Sequence, residues 1–140
     1  MVSHLNTDFI IAVVVTLVVS SGCYVRQDEQ DALKVADRIH SQLKRHDFQA
    51  IYRESEESFK AAGDESKLVI ALQQIQDAVG SLKNATPIAY QSVLDSSAGK
   101  KHVLIYNLEF ERAPGKEKLT FIRTKDGQMK LFDIIIEPTN

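Results

Sequence analysis

Few residues in this sequence combine the type and the spacing that chemistry requires. Asp133 comes first, because it interrupts the apolar run Leu131–Ile136, and a carboxylate deprived of water is the kind of group that abstracts protons. A competent site also needs an orienter for the base and an oxyanion stabiliser, and neither stands beside Asp133 in the chain. Asp133 is therefore expected at the surface or ion-paired with Lys130 or Arg123, on the strand side it shares with Leu131 and Ile135. No catalytic residue is assigned and the protein is not expected to be an enzyme. His40, His46 and His102 form no pair on one helical face and have no cysteine partner, so all three are expected to be solvated and no metal or cofactor is expected. Glu54, Glu56 and Glu57 read as a solvated acidic run, with no His or Asp at ligand spacing.

Composition narrows the function classes. The chain has 140 residues, 44% hydrophobic and 26% charged, which suits one globular domain. Its formal net charge is -2, and the densest basic steps are Lys44-Arg45 and Lys100-Lys101. No clustered basic stripe exists to track phosphates, so nucleic acid is excluded as a partner.

Phe9–Val19 is apolar apart from Thr16 and is followed by Ser20-Ser21-Gly22-Cys23. Eleven residues are short for a bilayer span but suit the apolar region of an export signal. The run and Ser21-Gly22-Cys23 together resemble a bacterial lipoprotein signal, although no Lys or Arg precedes the run. The resemblance implies that residues 1–22 are removed, that Cys23 is lipidated, that 23–27 form a short tether and that 28–140 form a single domain outside the cytoplasm, anchored to a membrane of the cell envelope. Two other readings stay open: Phe9–Val25 is kept as an uncleaved anchor, or Cys23 is an ordinary thiol. Cys23 is the only cysteine, so no intrachain disulfide is possible, and lipidation would remove a free thiol from an oxidising compartment.

The elements that must position any site follow from periodicity. Asp28 or Asp31 is expected to cap a first helix reaching about Arg45, with Ala32, Leu33, Ala36, Ile39 and Leu43 on one stripe and Lys34, Arg38, Gln42 and Lys44 away from it. A shorter second helix follows Asp47 and ends at Ala62-Gly63. Leu68, Leu72, Ile75, Val79 and Leu82 predict a third, with Gln73 on its far side. Thr86-Pro87 is expected to close the helical half. Four strands come next, around Ile88–Leu94, Leu104–Glu111, Leu119–Ile122 and Met129–Ile136, with turns at Ser96–Gly99, Ala113-Pro114-Gly115 and Asp126-Gly127. The last strand is apolar on both faces, which predicts a central position or a second interface.

From Asp28 to Ile136 this element order, with Glu56-Glu57-Ser58-Phe59-Lys60 and Val79-Gly80-Ser81-Leu82, resembles the nuclear transport factor 2-like and cystatin-like superfamily. The resemblance implies an α+β fold in which three N-terminal helices pack on a curved four-stranded antiparallel sheet. It also implies a cone with a pocket at its open end, and dimerisation through the sheet. Because enzymes of that superfamily place an acid, a histidine or a tyrosine in the cone, it points to Asp133, Arg123, Tyr106 and Tyr90 as ligand-binding residues, with Tyr52 beside them. Two functions are expected to compete. The first is a non-catalytic envelope module that binds a protein partner, or itself, through the sheet; the alternative is an exported small-ligand binder or enzyme using the cone.

Overall fold

The computed structural model describes the backbone of residues 20–139 and the side chains of residues 26–139. The apolar run Phe9–Val19, expected to belong to an export signal, and the side chain of Cys23, expected to be lipidated, lie outside the described residues.

Ala32, Ala36, Ile39 and Leu43 recur at steps of four and three, and all are buried along helix α1 (Ser20–Lys44). The two alanines have no exposure, so the helix backbone lies close against the layer beneath it. Asp28 and Asp31 lie within α1 rather than capping it, and Gln42, expected on the wet side, is buried. The single second helix that was expected is two short ones, α2 (Phe48–Glu54) and α3 (Glu57–Ala62). The break is at Ser55, whose hydroxyl donates to the Ile51 carbonyl at 2.6 Å, and at Glu56, whose backbone N–H donates to the Leu131 carbonyl at 2.8 Å. Helix α4 (Glu65–Val79) opens on Asp64, whose carboxylate accepts from the Lys67 N–H at 3.0 Å. It stops at Gly80, where φ is 85° and glycine is the favoured residue. Leu82 therefore begins the first strand instead of ending the helical stripe.

The sheet is an antiparallel meander in the order β1 (Leu82–Asp95), β2 (Gly99–Phe110), β3 (Pro114–Arg123), β4 (Met129–Pro138). Pro87, expected at the end of the helical half, lies within β1, where an edge strand and a register shift between Pro87 and Ala89 accommodate its missing N–H. The turn before β3 is Glu111–Ala113, closed by the Phe110 N–H donating to the Ala113 carbonyl at 2.9 Å. Gly115 sits in the strand opposite Leu108, and a Cβ there would lie 3.0 Å from the Phe110 ring and 3.2 Å from the Glu137 carbonyl. Room, not dihedral freedom, makes this a glycine. At Asp126-Gly127 the expected turn is present, with Gly127 at φ 84°.

Strand β4 is an edge of the sheet, not its centre. Its doubled apolar pattern has another cause. Phe121 pairs with Leu131 but Thr120 with Asp133, so Phe132 is an extra residue and β4 changes phase there. Leu131 faces the helices before the bulge, Ile134 and Ile136 face them after it, and Ile135 faces away. Asp133 consequently sits on Thr120's side of the sheet, and not on Leu131's.

One core joins these layers. Leu104, Tyr106, Leu108, Phe110, Leu119, Phe121 and Leu131 from the sheet meet Ala36, Ile39 and Leu43 of α1, Phe48 and Ile51 of α2, and Leu72 and Val79 of α4. The fold is thus α+β, with N-terminal helices on one face of a four-stranded antiparallel sheet. No described helix is long and apolar enough to cross a membrane.

Candidate functional site

Three places bring together groups that could act on a ligand. The first holds two expected residues, Tyr90 and Arg123, and four that were not expected there, Asp28, Asp31, Lys100 and His102. His102 is in phase with Leu104 and Tyr106 on β2, so it points at the helices and is 1% exposed, contrary to the solvated histidine expected. Its Nδ1 lies 2.9 Å from the Tyr90 hydroxyl and its Nε2 lies 3.7 Å from Asp28. A proton on Nε2 faces that carboxylate and leaves Nδ1 to accept from the phenol. Arg123 Nη2 donates to Asp28 at 2.6 Å and to Asp31 at 2.9 Å, and Lys100 Nζ reaches Asp28 at 3.1 Å.

Electrostatics make this cluster a clamp. Burial pushes Asp28 up, but Arg123 and Lys100 outweigh it and hold the carboxyl below its ordinary value. Asp31 is lowered by its hydrogen bond from Arg123. Burial depresses His102 despite Asp28, favouring the neutral ring, and burial with the charge of Asp28 raises Tyr90, which keeps its proton. The phenol is a donor rather than an activated nucleophile. The cluster ties α1 to β1, β2 and β3.

The second place is inside the core. His40 follows Ala36 by four residues and precedes Leu43 by three, and its Nε2 lies 2.5 Å from Glu117 Oε2 on β3, with both residues buried. The expected solvated histidine is thus half of a buried pair. Tyr106, expected to line an open pocket, packs edge-on against His40 with ring centroids 4.5 Å apart. Burial raises its pKa, helped by Asp37 and Glu117. Its hydroxyl and Glu117 Oε1 have no hydrogen-bond partner among the described residues. Chain periodicity carried the signal for this site: Glu117 alternates in step with Leu119 and Phe121, and His40 lies on the α1 stripe.

The third place is a groove of about 520 Å³ lined by Tyr52, Phe59, Leu68 and Phe132 together with Lys67 and Asp133. Tyr52 is fixed there, its hydroxyl within 3.2 Å of the Lys60 carbonyl and 3.1 Å of the Gly63 carbonyl. Asp133 forms no ion pair among the described residues with either expected partner, Lys130 or Arg123, and Arg123 is held instead by Asp28 and Asp31. Asp133, Arg123, Tyr106 and Tyr90 therefore do not converge. Arg123 and Tyr90 belong to the clamp, Tyr106 to the core and Asp133 to the groove.

Beyond these places, the sheet face turned away from the helices carries a depression of about 240 Å³ whose lining includes Ile105, Lys116, Lys118, Ile135 and Glu137. Ile135 is 39% exposed there. Among the described residues no group of three or more His, Cys, Asp or Glu is placed to hold a metal ion. The chain matches no family model, and no curated protein is similar to it.

Proposed function

We propose that the protein is an exported, lipid-anchored module of a bacterial envelope that works by binding and not by catalysis, its domain related to the nuclear transport factor 2-like or cystatin-like folds. Its partner surface is the helix-free side of the sheet and the outer edge of β4, and a second copy of the chain is the first partner to test. The observation that carries this reading is Ile135, exposed on an edge strand whose Ile134 and Ile136 already serve the core. An apolar edge strand is open to pairing with another strand. The depression beside it has Ile105 and Ile135 between Lys116, Lys118 and Glu137, an apolar centre with a charged rim. Catalysis is disfavoured because the ionisable groups of the clamp and of the buried pair are engaged with one another, and Asp133 has no hydrogen-bonded orienter beside it among the described residues.

A glutamate at Ile135 would bring a charge into the apolar centre without touching the helical core. Ile135→Glu is therefore expected to reduce the detergent-solubilised chain from dimer to monomer in sedimentation experiments, with the melting temperature little changed. An unchanged mass would remove the sheet edge from the proposal. Anchoring has its own test. Fatty-acid label is expected on the wild-type chain and absent from Cys23→Ala, and equal label on both would defeat the lipoprotein reading.

The groove supports a second reading, as a small-ligand binder. Its volume falls within the roughly 300 to 1,000 Å³ of ligand pockets. It lies at α2, α3, α4 and β4 rather than between α1 and the sheet, so it differs from the cone expected from the sequence.

A further inference from the structure

We infer that the tip of the β1–β2 hairpin is a second membrane contact, placing Leu94 in the interfacial layer of the bilayer that holds the lipid anchor. The inference rests on the anchoring proposed above. Leu94 is 84% exposed, more than Ile70, Ile88, Val93 or Ile135 among the exposed large apolar residues. It is also at the end of a projection. Its partner is Lys100, and this rung and Asp95–Gly99 lie beyond Lys101–Ile122, the last rung that joins β2 to β3. No third strand supports the tip.

One tie sets its direction. Lys100 at the tip binds Asp28 at 3.1 Å, and Asp28 is five residues from Cys23 in the sequence, so the exposed leucine is at the end where the chain would enter from its anchor. The tip is also pre-organised: the Asp95 carboxylate accepts from the Ser97 and Ala98 N–H groups at 2.9 and 3.2 Å and from Lys101 Nζ at 2.8 Å. An apolar side chain held at the end of such a turn loses little freedom on insertion. Because Lys100 and Lys101 are already paired with Asp28 and Asp95, the contact is apolar and not an attraction to anionic lipid. It should be indifferent to salt and need no acidic headgroup.

The chain contains no tryptophan, so one introduced residue reports its own surroundings. The lipidated full chain carrying Leu94→Trp, and separately Ile70→Trp on α4, would be reconstituted on phosphatidylcholine vesicles with and without brominated acyl chains. The expected result is blue-shifted emission from L94W, quenched by the brominated lipid and unchanged in high salt, and water-like unquenched emission from I70W. Unshifted emission from L94W on vesicle-bound protein would overturn the inference and leave the anchor intact. A blue shift without quenching would overturn it too, showing that protein, from the N-terminal segment or a second copy, covers Leu94. Protein that does not float with the vesicles at all would overturn the anchoring reading and this inference together.

Discussion

His40→Ala is expected to destabilise the domain by about 3 to 5 kcal/mol, because it leaves Glu117 buried without the partner that makes its burial tolerable. Glu117 is 1% exposed, and its Oε1 already has no partner among the described residues. Removing the imidazole would leave both carboxylate oxygens without one inside the core. The paired replacement His40→Leu with Glu117→Leu is expected to behave in the opposite way. Replacing a buried, hydrogen-bonded pair of ionisable side chains by apolar residues of similar size is often neutral or stabilising by about 1 to 4 kcal/mol. Urea unfolding of the two variants separates these outcomes. A single variant as stable as wild type, or a double variant less stable than the single, would show that the pair does not act as described.

Leu72→Ala is expected to cost about 2 to 5 kcal/mol, through the lost transfer of the side chain and the cavity left behind. Leu72 is 6% exposed on α4 and belongs to the same core as Phe121 and Leu131. Gln73, the next residue, is exposed, and among the described residues its side chain bonds only to Asp77 on its own helix, at 2.9 Å, so Gln73→Ala should be nearly silent. Thermal melts compare the two directly. Equal losses would place the α4 stripe on the wrong face.

Periodicity made the elements legible, since a pattern repeated over ten or more residues survives local exceptions. The α1 and α4 stripes and the in-facing set on β2 are where the sequence places them. What it did not show were single-residue events. The extra residue at Phe132 moved Asp133 off the side of Leu131, and Gly80 took Leu82 from helix to strand. The apolar run Ile134–Ile136 read as a central strand because a bulge at an edge produces the same doubled pattern as burial on both faces. The candidate site was less legible, because ion pairs across the fold leave no mark in local sequence. Arg123 and Asp28 lie far apart in the chain, and only the folded α1 brings Asp28 and Asp31 to the guanidinium in place of Asp133. His40 is legible from its phase on the α1 stripe, against the expectation of a solvated imidazole, and Glu117 from its step with Leu119 and Phe121, but neither phase reveals that the two side chains meet.

The free edge and helix-free face of the sheet are the surface through which the domain is proposed to act. A photo-activated cross-linking side chain at position 135 of the full chain, compared with one at position 73, probes that surface in cells expressing the protein. An adduct of twice the chain's mass is expected from position 135 and none from position 73. Equal yields from the two positions, or no adduct from position 135 in anchored protein, would contradict that proposal.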